Sequence, residues 1–366
     1  MCVSWEVDRN PGLVDGWRRM KRPTLGTALR LSWLVLGAVG ISGCADSFAI
    51  RNEAVPAEMQ RQLQAQAVPA SELKVIKGGL NVRSQSYPPP EGVLKVPMYY
   101  ENGIPHIKVS LNGRKPKKFM LDTGATFSVF DAEQAIEYGM RTVPQVRPVM
   151  AGVHGKEPGM AALIPTLQVG TWKLDNLPCI IRMQRTAWGT GILKEHLGIS
   201  VIGVHLAANH CKYLTLDFLK EQVEFGFTRS FAGKTRKHMH QAKMSMARGV
   251  PTTLLKHGKM SWEAIVDSGS VFGVQLEQNI AQMLGYRNGG WQVGGNYLIT
   301  GVGGAQSPKD AKVRVLEFNA LGLFGSYYPF AEVDVMPGPS RLGTYLLEDY
   351  RVTLDFEHQV LVVEWG

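Results

Sequence analysis

No run of this chain spaces cysteines and histidines as a zinc site does, no glycine-rich loop of the phosphate-cradling kind follows an apolar strand, and no serine–histidine arrangement stands out beyond the presence of both residue types. Charged residues are only 19% of the chain, and no dense Lys/Arg run carries interleaved aromatics. The formal charge of +9 therefore fits attraction to an anionic membrane surface better than binding of nucleic acid. Cysteine is scarce, at four in 366 residues. With Cys2 and Cys44 set aside, Cys179 and Cys211 remain, and a disulfide and two buried apolar thiols are both open readings. Long apolar runs are missing as well: the stretch from Leu25 to Ile41 is interrupted by Arg30 and is too short for a comfortable transmembrane span. What the chain has in quantity is glycine, 40, and proline, 20, a balance that favours many short strands over long amphipathic helices. Its length suffices for two domains, each able to bury a core.

The N-terminus has the layout of a secretory signal, with Met20-Lys-Arg, then the apolar stretch, then Ile41-Ser42-Gly43-Cys44. Ile-Ser-Gly-Cys resembles the lipobox of bacterial lipoproteins, which implies cleavage before Cys44 and lipidation of that cysteine. The acidic residues before Met20 fit such a signal poorly and point to Met20 as the start of translation. Ala45 directly after Cys44 favours the outer membrane, although Asp46 keeps the inner membrane open. The folded part is then expected to face the periplasm. Ala45 to Gly92 lacks a sustained apolar pattern and closes in Pro88-Pro89-Pro90, so it reads as a tether with one short helix near Ala57 to Ala67. A competing reading lays Leu73 to Val82 in a cleft as an inhibitory segment, through Lys74 or Lys77.

The remainder is a duplication. Lys118 to Phe130, KFMLDTGATFSVF, recurs as Ala264 to Leu276, AIVDSGSVFGVQL, with Asp122-Thr123-Gly124 matched by Asp267-Ser268-Gly269, Phe127 by Phe272 and Val129 by Val274. Before Asp122, Asn102-Gly103 and Asn112-Gly113 are hairpin signals, answered before Asp267 by Gly249 and Gly258. After each aspartate comes a helix-like segment, Ala132 to Gly139 and Glu277 to Gly285, and then a glycine-bearing loop. Each half later has a hydrophobic-Gly element, Val201-Ile202-Gly203 and Leu342-Gly343, and each closes on Leu-Asp-Phe, at Leu216 and Leu354. Repetition at this length indicates two similar lobes.

This tandem pattern resembles the retropepsin-like aspartic peptidases, fused head to tail in one chain as in bilobal pepsin-like enzymes, from about Val93 to Gly366. The resemblance implies an all-β, bilobal fold of two β-barrel-like lobes with a cleft between them. It divides the chain into a signal peptide, 1–43, a tether, 44–92, a first lobe, 93–227, an inter-lobe linker, 228–242, and a second lobe, 243–366. Asp122 and Asp267 become the catalytic pair, since like charges about 3 Å apart cannot both ionise and so share a proton, one group acting as base and the other as acid. Gly124 and Gly269 allow close backbone approach to the carboxylates. The hydroxyls of Thr123 and Ser268 are implied to bond across to the opposite loop, the alternative being an ordinary local turn bond. Gly152, Val153, His154 and Gly155 occupy the place of a substrate-closing flap, with Gly301, Val302 and Gly303 as the counterpart; the plainer alternative is two glycine-rich turns.

One residue departs from the pattern. Arg341 stands where the family has an apolar residue behind the active-site loop, and if buried it needs a partner. Pointing into the cleft it would lower the dyad pKa or read an acidic substrate group; otherwise it marks a lobe drifting from catalysis. His238, Met239, His240, Met244 and Met246 invite a copper site, but Met244 and Met246 fall on the expected first strand of the second lobe, opposite Pro97 and Tyr99 or their neighbours, with the histidines in the linker. The expected protein is an aspartic endopeptidase of the bacterial envelope, anchored through Cys44, acting on peptide or protein substrates, with no cofactor, no metal and no nucleic acid, and without need of dimerisation. An inactive peptide-binding or scaffolding lipoprotein of the same fold is the alternative.

Overall fold

The computed structural model describes residues 50–69, 72, 75–76, 79–80, 84–152, 155–188, 195–197, 200–231, 238–286, 291–292, 299–301, 304–306, 309–318, 320–324, 326–328 and 331–365. Strands dominate, as the turn-rich composition requires. Strand Ile104–Leu111 buries Ile107, Val109 and Leu111 and turns Lys108 outward, the period-two pattern of a sheet with one face on a core. It is entered and left through two Asn-Gly turns. Asn102 and Gly103 have φ of 52° and 80°, and Asn112 and Gly113 have φ of 51° and 72°, the left-handed pairs that a tight hairpin turn demands.

Two sheets repeat one topology. In the first lobe the order is Arg141–Val143, Gly155–Val169, Trp172–Arg182, Ser128–Phe130, Val201–Gly203, Lys117–Asp122, Ile104–Leu111 and Tyr99–Glu101. In the second it is Trp291–Gln292, Arg314–Phe318, Ala331–Met336, Val274–Glu277, Arg341–Leu342, Met260–Val266, Thr252–His257, Leu321–Leu323 and Ser326–Tyr328. In both, the hydrophobic-Gly strand lies between the strand that leads into the Asp motif and the strand that leaves it, parallel to the former. The fold is thus all-β and bilobal.

A six-stranded sheet joins the lobes, in the order Met239–Lys243, Val360–Glu364, Arg351–Asp355, Tyr213–Asp217, Gln222–Gly226 and Val93–Pro97. Its centre is the antiparallel pairing of the two Leu-Asp strands, where Leu214 faces Leu354 and Thr215 faces Thr353, the two threonine hydroxyls 2.8 Å apart. Met98 donates its N–H to Glu221 and Met244 to Gln359, at 2.7 and 2.8 Å, in corresponding places at the two ends. Residues 239–242, expected as the end of the linker, belong to strand Met239–Lys243 of the shared sheet; Met244 answers to Met98, next to the expected Pro97 and Tyr99, and His238 and His240 pack on Trp365. Cys179 and Cys211 are both buried free thiols, which settles that choice against a disulfide.

The tether is corrected as well. Strand Ile50–Ala54 pairs with Gln184–Trp188, helix Ala57–Ala65 inserts Leu63, and Val68 joins Val143, Val146, Ala161 and Leu163 in a common core. Thr142 ties the helix down, its hydroxyl donating to the Leu63 carbonyl at 2.7 Å. Within the helix only Leu63 is buried, too little periodicity to separate it from a solvated helix by sequence. Lys74 and Lys77, on which the inhibitory reading turned, lie outside the described residues. Because Leu63 is fully buried, Leu63→Ala is expected to destabilise the folded chain by about 2–5 kcal/mol in urea or thermal unfolding; a free tether would leave stability unchanged.

Candidate active site

Strands Lys117–Asp122 and Met260–Val266 each deliver an acidic loop to the junction of the lobes. There Thr123 and Ser268, both completely buried, exchange four hydrogen bonds. The Thr123 N–H donates to Ser268 Oγ at 3.0 Å, and the Ser268 N–H to Thr123 Oγ1 at 2.9 Å. Each hydroxyl then donates onward across the interface, Thr123 to the Val266 carbonyl and Ser268 to the Leu121 carbonyl, both at 2.6 Å. A hydroxyl suits this place because it accepts and donates at once. The set is closed: every buried polar group in it is matched by the other loop.

With the loops locked, Asp122 and Asp267 come side by side, each carboxyl against the glycine of the opposite loop. Each carboxylate also accepts from its own loop, Gly124 N–H to Asp122 Oδ1 at 2.7 Å and Gly269 N–H to Asp267 Oδ1 at 2.9 Å. The glycines are required by space. A Cβ on Gly124 would lie 2.4 Å from Asp267 Cγ, and one on Gly269 the same distance from Asp122 Cγ, so any larger residue would force the carboxylates apart. Burial first, then the charge and hydrogen bond of Asp267, hold the Asp122 carboxyl well above the usual carboxylate range, against the opposing pull of the Gly124 N–H and the Arg341 guanidinium.

The elements behind the loops repeat in the same way. In the first lobe Val204 N–H donates to the Ala125 carbonyl at 2.9 Å; in the second, Thr344 N–H donates to the Ser270 carbonyl at 2.7 Å. Each lobe's hairpin tip reaches the other's loop, Gly103 beside Val271 and Gly249 beside Thr126. The Thr344 hydroxyl donates to the Gly103 carbonyl at 2.5 Å, and the Tyr100 hydroxyl to Glu348 at 2.6 Å. Arg341 is buried, as its place on the hydrophobic-Gly strand dictates, and its Nε lies 2.9 Å from Asp267 Oδ2.

Gly152 and Gly155 close a hairpin of Val149–Gly152 with the start of Gly155–Val169, and Gly301 pairs with Gly304 in the counterpart hairpin. Val153, His154, Val302 and Gly303 lie outside the described residues, as does Cys44. The root of the first hairpin holds a feature that sequence reasoning missed. Glu157 accepts two bonds from Arg182, at 2.7 and 2.9 Å, with both side chains buried and Asp131 3.6 Å from the same guanidinium. The available signal was an arginine ending the apolar run of Trp172–Arg182. Missed too was a one-residue slip between the halves. The repeat matches Val129 with Val274, but Val129 stands opposite Val201 whereas Gln275 stands opposite Arg341, because Gly273 adds a residue to the second loop. Thr123→Val keeps the volume of the interlocked side chain and strands two buried partners, the Ser268 N–H and the Val266 carbonyl. It is expected to lower unfolding free energy by about 2 kcal/mol or more in urea titration.

Comparison with known proteins bears on the same stretch. Residues 107–203 match a family described as "Aspartyl protease". Among solved structures the chain is similar to an aspartic proteinase from Irpex lacteus, with 9% identity and a TM-score of 0.43 over 75% of this chain and 97% of that one. No curated protein sequence matches it. The family match covers residues 107–203, the stretch that holds the first of the two acidic loops.

Proposed function

We propose that the chain is an aspartic endopeptidase that hydrolyses peptide bonds with Asp122 and Asp267 as its catalytic pair. The observation that carries this reading is the meeting of two carboxyls from distant halves of one chain, each packed against the other loop's glycine and held by the buried Thr123–Ser268 exchange. A dyad with one proton supplies both needs of amide hydrolysis. Its ionised member takes a proton from water as the water oxygen attacks the carbonyl carbon, and its protonated member donates to the carbonyl oxygen. Both groups belong to one chain, so a second copy is not needed to complete the site. The hairpins that end at Gly152/Gly155 and at Gly301/Gly304 are proposed to close over an extended peptide.

The location belongs to the proposal as well. A lipid-modified Cys44 in the bacterial envelope, with the lobes facing the periplasm and the outer membrane favoured over the inner, follows from the Ile41–Cys44 pattern and places the substrates among envelope peptides and proteins. A second reading, a lipoprotein that binds peptides in the same cleft without cutting them, draws on Arg341, which stands against Asp267 where the first lobe has Val201.

The two readings part on one experiment. The purified chain is incubated with an unfolded protein or a peptide library between about pH 3 and 7, beside Asp122→Asn and Asp267→Asn. Endopeptidase action is expected to fall by about 10²–10⁴-fold in either variant, as removal of a general acid or base requires. A parent that captures peptides but yields no cut termini establishes the binder.

A further inference from the structure

The strand registers allow the two lobes to be compared position by position around the dyad. In the first lobe Val201 stands opposite Met120 on one side and Val129 on the other, and Val129 opposite Ile180. In the second lobe the corresponding row is Ile265, Arg341, Gln275 and Asp334. Residues two apart on a strand share a face, so Met120 lies on the side of Asp122 and Ile265 on the side of Asp267. Both rows therefore floor the region from which the aspartates project. The first row packs as an apolar cluster with Ala125 and with Met150 of the flap-like hairpin. The second has polar or charged groups at three of its four positions.

An arginine inserted into an apolar row would carry a heavy desolvation cost. Here one carboxylate and one amide oxygen offset part of that cost. Arg341 Nε lies 2.9 Å from Asp267 Oδ2, and Arg341 Nη1 donates to Gln275 Oε1 at 3.4 Å. The Gln275 amide in turn donates to the Pro339 carbonyl at 3.4 Å. The first lobe places only Val201 at the equivalent point, so the positive charge reaches the pair from one side. In the two rows and their loops the charged groups, among the described residues, are Asp122, Asp267, Arg341 and, opposite Gln275, Asp334, while Lys117, Lys118, Glu263, Glu277 and Glu332 lie elsewhere on the same strands. Thr123, Ser268 and Gln275 face it as neutral groups.

We infer that Arg341 is a positioning residue that breaks the symmetry of the dyad, holding Asp267 ionised as the base and leaving the shared proton on Asp122 as the acid. The roles of base and acid rest on the hydrolytic reading above; the location of the proton does not. In the resulting cycle Asp267 removes a proton from water while the water oxygen bonds to the carbonyl carbon, and Asp122 gives its proton to the carbonyl oxygen. Collapse of the tetrahedral diol returns a hydroxyl proton to Asp122 and passes the Asp267 proton to the nitrogen as the C–N bond breaks. One water is consumed, and both carboxyls end as they began. Arg341 touches neither water nor peptide in this scheme and acts through Asp267.

The sign of the electrostatic effect gives the test. A fixed positive charge resists uptake of a second proton by the singly protonated pair, so the acid limb of the kcat/KM profile is held low. Arg341→Leu, which restores an apolar residue of the first-lobe kind, is expected to move that limb up by about 1–2 pH units, and Arg341→Lys to hold it near its place in the parent. Carboxyl 13C NMR of aspartate-labelled protein reads the same event without turnover, with Asp122→Asn and Asp267→Asn supplying the assignments. At a pH between the two protonation steps of the pair, the neutral carboxyl is expected on Asp122, and the uptake of the second proton is expected at higher pH in Arg341→Leu. Arg341→Gln serves as a second neutral variant should the leucine chain fail to fold. A neutral carboxyl on Asp267, or a second-proton step that does not move in either neutral variant, overturns the inference. Titration as expected in a parent that cuts nothing upholds the placement of the proton while removing the hydrolytic function.

Discussion

Four hydrogen bonds that two buried hydroxyl residues make across the lobe junction hold this molecule in its observed form. Thr123 and Ser268 each present a donor and an acceptor to the other's loop, and neither loop can satisfy its buried backbone alone. Each bond is worth little on net, yet leaving its partner unpaired in the interior costs more than the bond itself contributes. The lobes are therefore held in register at the one place where the carboxylates must meet. The glycines beside them convert that register into contact, since the space a Cβ would take is filled by the opposite aspartate.

Around this symmetric centre the structure is unsymmetric in a directed way. The row of residues beneath the first loop is apolar and packs against the flap-like hairpin, while the row beneath the second carries Arg341, Gln275 and Asp334. A neutral floor on one side and a positive group on the other place the two aspartates in unequal fields, although their loops are nearly superimposable in sequence. The net charge of the dyad and Arg341 together is then close to zero when one proton is bound. That is the state in which a buried cluster is least penalised by its low-dielectric surroundings.

The periphery of the first lobe uses the same means. Arg182 joins Glu157 at the root of the hairpin to Asp131 at the start of the helix that follows the first motif, a buried bidentate pair whose geometry recoups part of its desolvation cost. The segment that precedes the repeat adds a strand and a helix to this side of the lobe, with Leu63 and Val68 as its apolar contacts. The first lobe is thus larger than the repeat that defines it, with Val146 and Ala161 packed on Val68 of the added segment.

What could be known from residue order alone was whatever is encoded by nearest neighbours. Asn102-Gly103 and Asn112-Gly113 demand left-handed backbone and so declare hairpins; alternation in Ile104–Leu111 declares a half-buried strand; the repetition of an aspartate, a hydroxyl residue and a glycine declares two equivalent loops. The one-residue slip at Gly273 was invisible, because the repeat aligns better without it and only the pairing of Gln275 with Arg341 reveals it. The docking of Leu63 was hidden for a similar reason, since a helix nine residues long with one fully buried side chain has no periodicity to recognise. Arg341 could be seen as misplaced from the sequence, but its partner could not. Which carboxylate a buried guanidinium meets depends on how two strands from one half lie beside a loop, and such proximity is a property of packing, decided only when the chain is folded.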